Sequence, residues 1–167
     1  MTLAELNRLD IEAFTATLGG IFEHSPWIAR GAHAAAPFAT VDALHTALCA
    51  VLAAADEDAR LGLIRAHPEL AGKAAIRGEL TAESSGEQRG AGLDQCSPEE
   101  YAELQQLNAA YGQRFGFPFI LAVKGHNRAS VIANFRTRSA NERSAEIAEC
   151  LRQIERIARF RLDALLG

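Results

Sequence analysis

The sequence lacks most of the patterns that announce cofactor, metal or nucleic-acid chemistry. It has no glycine-rich phosphate loop followed by Lys and Ser/Thr, and no dinucleotide fingerprint after a strand. It also has no Gly-x-Ser-x-Gly elbow, which excludes the α/β-hydrolase kind of nucleophile. The histidines (His24, His33, His45, His67 and His126) never pair as His-x-x-x-His or join a glutamate in a zincin pattern, so no metal is expected. The 3 cysteines (Cys49, Cys96 and Cys150) are odd in number and widely spaced, with no Cys-x-x-Cys. That excludes a disulfide framework or zinc ribbon and fits a reducing compartment, with Cys49 and Cys150 expected as small core residues. No apolar run reaches membrane-spanning length: the alanine-rich stretch 41–55 contains His45 and stops at Asp56-Glu57-Asp58. The N-terminus has no basic region leading into an apolar core, so the expectation is a cytoplasmic protein without membrane attachment. A formal net charge of -4 argues against nucleic acid as a partner.

What is present is an ordinary globular balance, 49% apolar and 23% charged over 167 residues, enough for one core with a pocket in it. Helical signals dominate. Thr2 with Glu5 forms a capping box ahead of Leu3, Leu6 and Leu9, and Asp10 caps a segment carrying Ile11, Phe14 and Leu18. Ser25-Pro26 reads as a cap with proline at the first helical position, and Ser97-Pro98-Glu99-Glu100 is the clearest start of all. The latter leads through Leu104, Asn108, Tyr111 and Phe115 to a stop at Gly116. The last helix is expected from near Ser139, with Glu142 three residues on. One stretch, 117–123, is aromatic and β-leaning, but a lone strand has nothing to pair with. The expected fold is therefore all-α: a single-domain helical bundle over residues 1–167 with one short extended segment near 117–123.

Three constellations can carry chemistry. In Arg65-Ala66-His67-Pro68-Glu69-Leu70, proline biases His67 out of the helical region, so a helix ends there and the imidazole projects from its C-terminus. The helix dipole favours a charged imidazole at that place, and the same position also suits a histidine that simply caps carbonyls. Ser84-Ser85-Gly86-Glu87-Gln88 reads equally as a capping box and as exposed helix amides, two hydroxyls, a carboxylate and a carboxamide suited to a polar, anionic small ligand. In Phe115-Gly116-Phe117-Pro118-Phe119-Ile120 the phenylalanine side chains are expected in the core. The backbone amides and carbonyls of that stretch are candidate readers of a flat ring bearing ureide-like N–H and C=O groups. These residues leave three classes of function in view: an enzyme, a module that sequesters a ureide-like metabolite, and a helical interaction protein using apolar positions such as Trp27 or Ile28.

Taken in order, His67-Pro68-Glu69-Leu70, Ser84 to Gln88, Ala91-Gly92-Leu93 and Phe115 to Ile120 resemble the 2-oxo-4-hydroxy-4-carboxy-5-ureidoimidazoline (OHCU) decarboxylases. Phe22-Glu23-His24-Ser25-Pro26-Trp27-Ile28-Ala29 resembles the family's N-terminal signature. Arg138, Asn141 and Glu142, with Arg161-Leu162, resemble its last helix. Ala36 before Pro37-Phe38 and Ser139 after Arg138 depart from the usual pattern, away from the catalytic positions. The resemblance implies a homodimeric enzyme without cofactor that converts OHCU, a small-molecule substrate, to S-allantoin and carbon dioxide in urate breakdown. It implies His67 as catalytic acid/base with Glu87 acting beside it. Pro68, Ser84, Ser85, Gly86, Glu87 and Gln88 would line the substrate site together with the backbone of Phe119, Ile120, Leu121, Ala122 and Val123. Arg161 would meet the substrate carboxylate.

Overall fold

Capping chemistry sets most of the helix starts. A computed structural model describes residues 1–167, apart from the side chain of Ala74, and it is all-α with no strand among the described residues. The helices are α1 (Leu3–Leu6), α2 (Ile11–Leu18), α3 (Pro26–Ala32), α4 (Val41–Ala54) and α5 (Glu57–Ala66). They continue with α6 (Lys73–Ile76), α7 (Ala82–Gly90), α8 (Pro98–Phe115), α9 (Arg128–Arg138) and α10 (Arg143–Leu166). Thr2–Glu5 and Ser97–Glu100 close reciprocal capping boxes, and Asp10 accepts the Ala13 amide at 2.9 Å. Gly116 ends α8 at φ 79, a left-handed backbone that glycine adopts without a Cβ penalty.

Several starts differ from expectation. Ser25 precedes Pro26 as foreseen, but its hydroxyl donates back to the Glu23 carbonyl at 3.0 Å instead of capping α3. Thr81, not Ser84, is the N-cap of α7, so Ser84 and Glu87 stand inside the helix. The last helix starts at Arg143, because Ser139 is the C-cap of α9 and its hydroxyl donates to the Phe135 carbonyl at 2.7 Å. Helix α9 itself was not anticipated. Its buried stripe of Val131, Ile132, Phe135 and Arg138 has an arginine in it, which breaks the apolar period. Ile28 is wholly buried, so it offers no surface to a partner, while Trp27 is exposed.

The chain divides into two compact units, Met1–Ala66 with Ile154–Gly167, and His67–Gln153. In the first, α3 packs against both α2 and α4 over buried Phe14, Leu18, Ile28, Leu44, Leu48 and Leu52. The Asn7 carboxamide pairs both ways with the Phe38 backbone, each bond 2.8 Å. In the second, aromatic rings gather around Tyr111 of α8. Phe115 lies 4.5 Å from it between centroids, Phe119 5.4 Å and Phe135 5.8 Å. Each such ring contributes roughly 1.5–3 kcal/mol by burial, and edge-to-face pairs add about 0.5–1.5 kcal/mol.

Tyr111 carries its hydroxyl into that core and donates to Glu146 Oε2 at 2.5 Å. Burial above all, with Cys150 and Glu146 adding to it, pushes the phenol well above its ordinary value. The folded protein thus keeps this proton past pH ~10, where the unfolded chain releases it. Stability from this source is whole below pH ~10 and falls as pH rises further, by up to about 1.4 kcal/mol per pH unit. Urea unfolding between pH 9 and pH 11 is expected to show that slope, and Tyr111→Phe to remove one proton's worth of it.

Candidate active site

His67 follows directly on the last residue of α5 and is buried, 7% exposed. The loop it opens is held by three side-chain amides. Gln88 Oε1 accepts the Ala71 amide at 2.9 Å while its Nε2 donates to the Glu69 carbonyl at 3.1 Å. Gln105 Nε2 donates to the Ala71 carbonyl at 2.8 Å, and Asn108 Nδ2 donates to the Leu70 carbonyl at 2.9 Å. Between these bonds Ala71 is kept at φ 51, a left-handed conformation costing a non-glycine residue roughly 1–2 kcal/mol. A Cβ at the next residue, Gly72, would stand 2.7 Å from Glu69 Cβ, so the turn admits only glycine there. Strain of this kind persists only where the surroundings impose it, and it clusters at functional loops.

Helix α7 supplies the second constellation. Ser84 and Gln88, one turn apart, are buried, Ser85 and Glu87 are half-buried, and Gly86 is exposed. The Ser84 amide is already bonded to Thr81 Oγ1 at 3.2 Å and the Ser85 amide to the Thr81 carbonyl at 2.9 Å. The expectation of free helix-end amides at Ser84 and Ser85 is therefore corrected, because the helix begins earlier than the Ser84–Glu87 spacing suggested. What α7 turns toward the His67 loop is side-chain chemistry, through Gln88.

The third constellation, 117–123, is a non-helical stretch whose side chains are buried except for half-buried Pro118. Its backbone is held by two side chains, and at its end the Val123 carbonyl accepts the His126 amide at 2.9 Å. The Ile120 carbonyl accepts from Arg138 Nη1 at 2.5 Å, and the Ala122 amide donates to Gln153 Oε1 at 3.0 Å. Among the described residues nothing pairs with the amide or carbonyl of Leu121, although that residue is only 6% exposed. A buried segment with an unpaired edge is a place for a ligand to complete the hydrogen bonds.

Arg138 is itself held by Glu146, Nη2 to Oε2 at 2.9 Å, and Glu146 also accepts from Tyr111 and from Asn141 Nδ2 at 3.0 Å. Burial works against the charge on Arg138, but the bonds and charge of Glu146 outweigh it and raise its pKa. His67, Pro68, Ser84 to Gln88 and Phe119 to Val123 all belong to the unit His67–Gln153. Arg161 belongs to the other, where its Nη1 donates to Glu23 Oε2 and to the Gly20 carbonyl, both at 2.9 Å. Sequence reasoning missed Gln105, Asn108, Glu146 and Gln153 as parts of this arrangement. Their one signal was polarity at positions of the apolar stripe in α8 and α10. Among the described residues no three His, Cys, Asp or Glu side chains converge on a metal-sized point, and no helix is long and apolar enough to cross a membrane.

Comparison with known proteins agrees on one family. The model of the family described as OHCU decarboxylase matches residues 7–163. The chain is 42% identical over 165 residues to the uric acid degradation bifunctional protein PucL of Bacillus subtilis, covering 99% of this chain and 33% of that protein. It is 40% identical over 162 residues to the 2-oxo-4-hydroxy-4-carboxy-5-ureidoimidazoline decarboxylase of Haloferax volcanii, covering 97% of this chain and 94% of that one. Among solved structures, (S)-allantoin synthase superposes with a TM-score of 0.81 at 27% identity, over 99% of this chain and 54% of its own. The chain thus spans a third of the Bacillus protein and nearly all of the Haloferax one.

The clamp on the His67 loop makes its own prediction. Gln88→Met removes two bonds and leaves the buried Ala71 amide and the Glu69 carbonyl unpaired, which costs about 1–3 kcal/mol. Urea unfolding is expected to show that loss, and hydrogen exchange to show the Ala71 amide opening faster than in the wild type.

Proposed function

This chain belongs to the OHCU decarboxylase family, and on that footing we propose that it removes carbon dioxide from OHCU and yields S-allantoin, without a cofactor. Breaking the bond to the carboxylate leaves an electron pair that the adjacent conjugated C=N of the ring accepts, so the substrate is its own electron sink. The protein then has three tasks: turn the carboxylate out of the ring plane, stabilise the charge that develops, and deliver one proton to one face. Preorganised donors handle the first two. A histidine placed as general acid/base handles the third, a contribution of about 10²–10⁴-fold.

In this reading His67 is the acid/base, Glu87 acts beside it, and Pro68 and the Ser84 to Gln88 turn of α7 border the ring. The unpaired edge at Leu121 offers one amide and one carbonyl, the complement of a cyclic ureide's C=O and N–H. Gln88 borders the ring with the rest of that turn and also holds the loop after His67. Arg161, kept rigid by Glu23, is the candidate partner for the substrate carboxylate. The observation that carries the reading is the buried His67 on a strained loop pinned by three carboxamides. A histidine that merely capped a helix would need none of that. Assembly as a homodimer in the cytoplasm is part of the same proposal and rests on the family alone.

The test generates the substrate in situ from urate with urate oxidase and 5-hydroxyisourate hydrolase, and follows the circular dichroism of the product. Wild type is expected to give one enantiomer rapidly, and His67→Ala to slow this by about a hundredfold or more while remaining folded. Rapid chiral product from the variant would remove His67 from its role. Only the slow racemic background from wild type would end the decarboxylase reading.

A further inference from the structure

The buried ion pair in the His67–Gln153 unit is not explained by stability. Arg138 is 8% exposed at its side chain and Glu146 0%. A buried pair of this kind is often matched or bettered in stability by apolar residues of the same volume. What an apolar pair could not do is hold a backbone carbonyl. Arg138 grips the 117–123 stretch twice: Nη1 donates to the Ile120 carbonyl, and the guanidinium lies 4.3 Å from the centroid of the Phe119 ring. The Phe119 ring also stacks on Phe135 at 3.9 Å and 11°. Gln153 adds the Ala122 amide, and Glu149 Oε1 in turn fixes Gln153 by accepting from its Nε2 at 2.7 Å. The grip therefore falls on residues 119, 120 and 122 and leaves the Leu121 amide and carbonyl between them without a partner among the described residues. A slip of one residue would bring the Leu121 backbone under these donors and acceptors in place of its neighbours, because the period of an extended chain is two.

We propose that Arg138, anchored by Glu146 and assisted by Gln153, is a positioning residue for the reaction: it fixes the register of 119–123 so that the Leu121 amide and carbonyl face the substrate ring. The inference rests on the reading that this free edge binds substrate. The pair does not touch the reacting atoms, so its loss acts on affinity and not on proton transfer. Tyr111 and Asn141 also donate to Glu146, which fills acceptor sites that Arg138 leaves open.

Two measurements separate this inference from the reading beneath it. First, 15N-labelled wild type is titrated with (S)-allantoin. The Leu121 and Val123 amides are expected to shift more than those of Ile120 and Ala122. Binding without that pattern overturns both the reading and the inference. Second, the titration and the kinetics are repeated on Arg138→Met/Glu146→Leu, which leaves no buried charge unpaired, and on the uncharged single variant Gln153→Met. The double variant is expected to weaken allantoin binding and raise KM by about tenfold, one lost hydrogen bond's worth at 1.4 kcal/mol per decade. Its kcat should fall less and its pH profile should keep the wild-type midpoints. Gln153→Met is expected to move KM in the same direction by a smaller factor, with the melting temperature held. If wild type shows the Leu121 and Val123 shifts but the folded variants keep wild-type KM and allantoin affinity, the reading stands and the inference fails. Activity lost only in proportion to folded protein, with KM unchanged, contradicts it equally.

Discussion

A single carboxylate with no access to water organises the His67–Gln153 unit. Glu146 sits at 0% exposure and takes hydrogen bonds from Arg138, Tyr111 and Asn141. A buried charge is tolerable only when its acceptor sites are filled, so each donor is constrained by the need to fill them. Tyr111 fixes α8, Arg138 fixes α9, Asn141 fixes the turn between α9 and α10, and Glu146 itself lies in α10. From Arg138 the constraint passes to the Ile120 carbonyl and so to the irregular stretch that follows α8. Helix α8 passes it the other way. Its buried stripe of Leu104, Asn108, Tyr111 and Phe115 ends in aromatics under the 117–123 stretch, while Asn108, with nearby Gln105, holds the loop after His67. One helix face thereby carries both pieces of irregular backbone that the proposed chemistry needs.

This division of labour suits a reaction whose electron sink is built into the substrate. Nothing exotic is asked of the side chains beyond one titratable group and a fixed set of donors and acceptors. The difficulty is geometric, because a proton delivered to the wrong face gives the wrong hand of product. Loops normally supply such groups at the cost of mobility. Here the loop after His67 is a strained turn held by carboxamides, and the non-helical stretch 117–123 is held by side chains of α9 and α10. Side chains replace the ladder that a neighbouring strand would provide.

Much of the fold was legible because it rests on local chemistry. Thr2–Glu5 and Ser97–Glu100 spell capping boxes, Gly116 spells a left-handed stop, and the break in helical character at His67-Pro68 falls where α5 ends. The isolation of 117–123 followed from its β-leaning composition without any partner strand. The failures came where a local pattern had a competing reading. Ser84–Glu87 has the spacing of a capping box, but Thr81 lies one turn earlier and takes the cap. Ser139–Glu142 has it too, but α9 ends there. The residues that hold the site, among them Gln105, Asn108, Arg138, Glu146 and Gln153, are polar groups along mostly apolar helix faces. Their partners lie up to 38 positions away. No periodicity names such a partner, so only the fold reveals what they do.

In this proposal the His67 loop and the unbonded Leu121 backbone serve one ligand. A crystal structure of the protein with bound (S)-allantoin tests this most directly. The expected complex has the ureide ring paired with the Leu121 amide and carbonyl, with the His67 imidazole within hydrogen-bonding distance of the ring. Allantoin bound elsewhere, or bound at Leu121 with His67 out of reach, would contradict it.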